Sequence, residues 1–230
     1  MLKLQQEFAR PIKVQSVTEQ VTLELRRGIL SGDLAPGESL SLRKVAEKLE
    51  VSFIPVRDAL SVLEGEGLVI NPRGKGATVA PLNMEEFHAI YRVSRMLEPE
   101  LARRSCQLMS NQKLDELFIK AADLGASNLN VDAIWDDHRV FHMELLSPAA
   151  SPWDVRILTM NWRATERYLR IAFGKLDPDP QEHLRRKKAH QLLIEAFKTR
   201  DPSLAAQALE AHLVESESLA TNALSAAFRD

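Results

Sequence analysis

PGESLSLRKVAEKLEVSFIPVRDALSVLEGEGLVINPRGKGATVAP, residues 36–81, decides how the chain is read. Pro36-Gly37 marks a turn. Ser41 is placed to cap a helix whose Leu42, Val45, Ala46 and Leu49 share one face, at i, i+3, i+4 and i+7. Ser52 is placed to cap the next helix, where Pro55 is tolerated because it falls in the first turn. The apolar side of that helix is Val56, Ala59, Leu60 and Leu63, which leaves Phe53, Arg57, Ser61 and Glu64 outward. Gly65 and Gly67 end it, Leu68-Val69-Ile70 is a short strand, and Ala77 to Ala80 returns as its partner. Between the strands, Arg73-Gly74-Lys75-Gly76 makes a flexible basic tip. Two short helices and a hairpin, in that order, are the plan of a winged helix-turn-helix, which lays its second helix in the major groove of DNA. Periodicity alone equally fits a small α+β unit with no role on DNA.

Upstream, Val17, Val21, Leu25 and Ile29 are four apart and form one apolar stripe of a preceding helix. At 230 residues the chain has room for two domains, divided here into 1–82 and 83–230. Apolar content of 45% and charged content of 27% are ordinary for a globular protein. No apolar run reaches the roughly 18 residues of a membrane span, so no membrane partner is expected. The N-terminus lacks the apolar core of a signal peptide, and a lone Cys106 cannot form an intrachain disulfide. A cytoplasmic setting follows as the expectation. The net charge of −2 does not argue for nucleic acid, and neither half is strongly charged. Residues 1–82 carry 11 Lys+Arg against 10 Asp+Glu, and 83–230 carry 19 against 22. A local basic face can still serve, since phosphate contacts depend on the charges lining one surface.

From Asn83 onward the pattern is helical to the end, with helices expected near 84–108, 110–124, 128–146, 151–174, 179–199 and 201–226. Asn83, Ser110, Ser151, Asp179 and Asp201 suit as caps, and Pro152, Pro180 and Pro202 each follow a cap at the favoured first position. Pro99 should kink or split the first of these helices. The fold class is therefore mainly α: an N-terminal winged helix-turn-helix and a C-terminal all-α bundle.

Four of the six histidines stand in a geometric relation. His138 and His142, four apart, project from one face of a helix. His190 and His212 each lie 11 residues from Asp201. If that turn joins antiparallel helices, both sit about 16 Å from it at ~1.5 Å per residue, hence at the same height. Four imidazoles converging inside a bundle would make a metal site. Taken singly, each histidine is an ordinary core or surface residue. His88 and His183 fit no such pattern.

The N-terminal residues resemble the GntR family of bacterial transcription regulators. The resemblance runs over about fifty residues, through Pro36-Gly37, Leu40-Ser41, Val51-Ser52, Pro55-Val56-Arg57-Asp58-Ala59-Leu60, Glu66-Gly67-Leu68-Val69 and Gly76-Ala77-Thr78-Val79. It implies that Arg43 and Arg57 reach base edges or nearby phosphates, that Ser52 holds a phosphate, and that Lys75-Gly76 places the wing in the minor groove. Arg suits guanine O6 and N7, and Ser suits phosphate. Phe53 and Ile54 stand where the family usually has Arg and Thr. Phe53 either presses on a thymine methyl or sugar, or simply tightens the helix start. Arg57 has a plainer alternative as a solvated partner of Asp58 or Glu64.

The C-terminal part is similar to the helical effector domain of the family's FadR branch, of FCD type. The similarity lies in His138-Arg139-Val140-Phe141-His142, and in the run from His190 through Asp201 to Ala211-His212-Leu213. It implies a metal held by the histidines and a small organic acid bound beside it. The usual Asp ligand is His138 here, and Asp137 lies about 100° around the helix from it. Four nitrogens favour zinc, with nickel or cobalt next, over magnesium or calcium. Alternatively His138 is displaced, leaving three histidines and open positions for an effector carboxylate. Arg139 and the series Arg163, Arg167, Arg170 are the cations that would complement such an acid, or else form a solvated basic face. The family's usual Arg is Ser94 here, so neither Arg95 nor Glu98 receives a role from the resemblance. The expectation is a homodimeric, ligand-responsive regulator, by resemblance a repressor, on a two-fold symmetric double-stranded DNA operator. A metal sensor is the first alternative. An enzyme is the second, but there is no HExxH and no evident general base beside the His pair.

Overall fold

The computed structural model describes residues 16–71, 76–124, 131–174 and 180–227. The basic wing tip including Lys75, the Asp179 cap and the expected helical residues 128–130 lie outside these.

Helix α1, Val17–Ser31, begins on a capping box in which Ser16 and Glu19 satisfy each other's backbone N–H groups. Its buried stripe starts at Val21 and continues through Leu25 and Ile29. Val17, expected on that stripe, is 51% exposed, because it occupies the first turn beyond the reach of the core. Strand β1, Ser39–Leu40, leads into α2, Leu42–Lys48, capped by the Ser41 hydroxyl. The turn from α2 to α3, Phe53–Gly65, is a Schellman closure. In it the Val51 N–H donates to the Ala46 carbonyl, and Glu50 adopts φ 54°. Ser52 holds the N-cap position of α3, but its hydroxyl makes no cap hydrogen bond, so the expected side-chain cap is absent.

After α3 come β2, Val69–Ile70, and β3, Ala77–Val79. The sheet has three antiparallel strands in the order β1-β3-β2, with Ser39 opposite Thr78 and Val69 opposite Val79. Strand β1 lies outside the expected hairpin, because Ser39-Leu40 has no apolar run or turn signal of its own and is a strand only by pairing with β3. Val56, Ala59, Leu60 and Leu63 of α3 close this core against Val21, Leu25, Val69 and Val79.

The rest is helical. Helix α4, Met84–Leu108, starts on the Asn83 carboxamide, which accepts from the N–H groups of Glu85 and Glu86. It runs unbroken through Pro99, which corrects the expected split. Proline removes one N–H, and beyond it Leu101, Ala102, Ser105 and Cys106 stay buried, so packing holds the helix together. Helix α5 is Asn111–Asp123, capped by Ser110. Helix α6, Val131–Leu146, passes through a short 3-10 turn at Ser147–Ala149 into α7, Pro152–Gly174. Helices α8, Pro180–Lys198, and α9, Pro202–Ala227, meet at Asp201, whose carboxylate accepts from Ser203 and Leu204. Helix α4 packs along α9, with α7 and α8 against them. Two apolar clusters result, one around Phe141, Leu145 and Phe197 and one around Phe87, Tyr168 and Leu213. His138, His142 and His190 lie between them, against Phe141 of the first cluster and Trp135 beside the second.

Candidate functional site

The fold brings His138, His142, His190 and His212 into one cluster, with one ligand atom from each lying within 4.8 Å of the others. His138 and His142 come from successive turns of α6, and their rings are 4.6 Å apart. His190 on α8 and His212 on α9 face each other at 4.8 Å across the Asp201 turn. His138 is therefore in the cluster rather than displaced from it.

His190 Nδ1 lies 2.7 Å from the Arg186 carbonyl. A carbonyl only accepts, so Nδ1 carries the proton and Nε2 presents a lone pair, the arrangement that usually orients a metal-binding imidazole. That Nε2 is 3.3 Å from Nε2 of His142, close to the edge of a tetrahedron of Zn–N bonds, roughly 3.4 Å. His142 Nδ1 is buried without a hydrogen-bond partner among the described residues. Burial pushes all four imidazoles towards the neutral form that ligates metal, His190 down to about 4 and the other three well below their ordinary value. The neighbouring imidazoles reinforce the shift for His138, His142 and His212. The donor set fits a borderline transition metal.

Two cavities flank the cluster and share His138 and His212. The smaller, about 50 Å³, runs towards Arg185, Arg186 and Glu215. The larger, about 80 Å³, has room for several waters or a small organic molecule, and is walled by α4, α6, α7 and α9. Arg139 lines it and is held by Asp136 at 2.6 Å. Glu98 also lines it, 1% exposed, accepting from the Trp162 indole N–H at 2.9 Å. Burial raises the Glu98 carboxyl to about 7.

A pH dependence follows from Glu98. Its folded-state pKa stands above the unfolded value, so its stabilising contribution is complete below about pH 4.5 and is lost as pH rises to about 7. Metal-free Glu98→Gln should therefore gain on the parent by up to about 3 kcal/mol between pH 4.5 and 7, with no further gain above. Urea unfolding of both chains at pH 5 and pH 8 measures the difference, and the histidines, common to both, cancel.

Arg163 and Arg167 border neither cavity, contrary to their expected place beside an effector. The reason is that each already serves a contact between the N-terminal unit and α7. Arg163 donates to Glu66 at 2.9 Å, and Glu66 also takes two hydrogen bonds from Arg26. Arg167, whose side chain is only 4% exposed, donates to the Ala80 carbonyl and pairs with Glu86. Arg170 turns back to Glu166. Glu66 was missed because Glu66-Gly67 reads as a helix end. That its carboxylate points at another domain leaves no local signal.

On the opposite side of the N-terminal unit, Phe53 is 56% and Ile54 62% exposed at the start of α3. Arg57 points outward one turn further on, with Asp58 only at 3.8 Å. Ser52 is exposed, and Arg43 reaches out from α2, 80% exposed, donating to Glu47 one turn on at 2.8 Å. Gly76 closes the wing at φ 78°, a conformation that a side chain would strain. His88 and Arg95 both pair with Glu217, and none of the three is among the four clustered histidines.

A winged helix-turn-helix joined to a helical bundle with a histidine-lined cavity defines a class of DNA-binding regulators. The chain belongs to the GntR family: residues 17–79 match the model of the bacterial regulatory proteins of the gntR family, and residues 89–215 match the FCD domain. It is a transcription regulator of that type, not an enzyme. It is similar to the regulator BphR of Paraburkholderia xenovorans, 26% identical over 90% of this chain and 86% of that one. The repressor RspR of Escherichia coli is 28% identical over 87% of each, and the gluconate operon repressor of Bacillus subtilis 26% over 87% and 84%. Among solved structures, E. coli McbR/YncC superposes with a TM-score of 0.71 at 21% identity, covering 91% of this chain and 99% of that one, which speaks for the fold.

Proposed function

We infer that the chain is a repressor that acts as a homodimer on a two-fold symmetric operator and is released by a small organic acid bound beside a metal. Residues 1–82 carry the DNA contacts, through Arg43, Ser52, Phe53, Arg57, Lys75 and Gly76. Residues 83–230 carry dimerisation, the metal and the effector, and the cytoplasm is its setting. His138, His142, His190 and His212 hold the ion, zinc by preference and nickel or cobalt next. If bound with more than four coordination positions, the ion would supply a Lewis-acidic centre that can grip a carboxylate beside the four histidines, and Arg139 would add the cation next to it.

The observation that carries this reading is the double duty of α7. Trp162, Thr165, Glu166 and Leu169 wall the larger cavity. On the same helix, Arg163 grips Glu66 at the end of α3 and Arg167 grips the linker carbonyl of Ala80. Anything that shifts α7 on binding therefore pulls on the element that faces DNA. A ligand acts only through its preference for one arrangement, so this mechanical link supports coupling in a way that a remote cavity would not.

Arg163→Ala tests it. Operator affinity of the metal-loaded protein is read at fixed salt, with and without a panel of three- to six-carbon carboxylates. The parent should weaken at least five-fold with an active member, while the variant keeps its unliganded affinity and loses the response. An unchanged response in the variant would remove the Arg163–Glu66 link from the mechanism.

A second reading, in which the ion is itself the signal, draws on the complete set of four protein nitrogens. A tetrahedral zinc would leave no coordination position for an acid. Graded operator affinity across a metal titration, with no dependence on any acid, would favour it.

A further inference from the structure

The geometry points to an amino-carboxylate effector: a zwitterion with its carboxylate towards the histidine cluster and Arg139, and its ammonium against Glu98. This deepens the organic-acid reading and rests on it. The wall of the larger cavity carries groups of both signs. It holds His138, His142 and His212, the place for a cation, together with Arg139. It also holds Glu98, with which no Lys, Arg or His forms an ion pair among the described residues.

Glu98 is built as an acceptor. The Trp162 N–H donates to one oxygen, and the Ser94 hydroxyl is a second neutral donor to the carboxyl. Ser94 is itself fixed from the other side, accepting from the Asn161 carboxamide at 2.7 Å. A buried carboxylate with neutral donors and no counter-ion lacks one partner, a cation. The arginines nearby do not supply it: Arg170 is held by Glu166, Arg139 by Asp136 and Arg95 by Glu217.

The remaining wall suits an ammonium too. Trp162, which donates to Glu98, and Tyr91 line the same cavity, and aromatic faces around a carboxylate attract organic cations. An ammonium placed there also favours the charged form of Glu98, as any opposite charge within a few ångströms does. A second carboxylate in that position would meet Glu98 as a like charge. Plain dicarboxylates are thereby selected against, and the amine is what distinguishes the ligand.

The experiment uses the full chain loaded with nickel or zinc, its metal stoichiometry measured first. Calorimetry then compares matched pairs: glutarate with glutamate, butyrate with 4-aminobutyrate, propionate with β-alanine, and the ordinary amino acids with their deaminated counterparts. At least one amino member should bind ten-fold or more tighter than its partner. Glu98→Gln should lower that ratio at least ten-fold while leaving metal stoichiometry unchanged. Equal affinity across every pair, binding of deaminated acids alone, no binding by any amino member, or a ratio unmoved in Glu98→Gln overturns the proposal. If the variant does not fold, the parent's pairwise ratios still decide. A chain that takes up no metal fails the metal reading separately, and the same pairs on the metal-free chain then judge Glu98 and its aromatic wall on their own.

Discussion

Replacing Arg57 by alanine is expected to erase the difference in affinity between operator and scrambled duplex. Arg57 stands on the exposed face of α3, one turn beyond Phe53, with Asp58 only at 3.8 Å, so its guanidinium is available for bidentate contact with a base. One such contact is worth about 1–3 kcal/mol, roughly 5- to 150-fold, and a symmetric operator loses it in both halves. The substitution touches no core residue, so unfolding should be unchanged. Competition titrations of specific against scrambled duplex at several salt concentrations make the measurement. A uniform loss on both duplexes, with a salt slope reduced by about one, would instead make Arg57 a phosphate contact. Unchanged preference would remove it from the interface.

The second large effect concerns the ion. If zinc or nickel is present a thousandfold above its dissociation constant, the folded state gains about 4 kcal/mol. For a chain of this size that amounts to a rise in Tm on the order of 8–16 °C. His142→Ala should abolish the rise. His142 is buried, its Nε2 is 3.3 Å from that of His190, and its Nδ1 has no partner among the described residues. His190→Ala should do the same, since that imidazole is already oriented by the Arg186 carbonyl. Protein purified without chelator that holds no stoichiometric metal and shows no thermal shift with either ion would end the metal reading.

Most of the architecture was legible because local signals agreed with one another. The caps at Ser41, Asn83, Ser110, Ser151 and Asp201 are present as side-chain hydrogen bonds. The stripe of Val56, Ala59, Leu60 and Leu63 gave both the buried face of α3 and, by subtraction, the face that looks outward. The equal spacing of His190 and His212 about Asp201 worked because both helices are regular and antiparallel, so distance along the chain became height in the bundle.

What escaped depends on partners distant in sequence. Strand β1 exists only through its pairing with β3. Pro99 forbids one hydrogen bond but cannot report that tertiary packing keeps the helix whole. The basic row on α7 reads as one functional face, yet its members go separate ways: Arg163 to Glu66, Arg167 to the linker, Arg170 to Glu166. Glu98 sits in a helix whose amphipathic pattern gives no hint that its carboxyl is sealed beside Trp162.

Trp162 and Arg163 are consecutive residues, about 100° apart around one helix, so one looks into the cavity while the other holds the DNA-binding half. Rolling α7 about its own axis is then the motion that both sense at once, and sliding it is not required. Under the proposed coupling, a compound that fits the cavity without turning the helix would be a silent occupant: it would block the signal and send none, and screening by binding alone would not tell it from a compound that releases DNA.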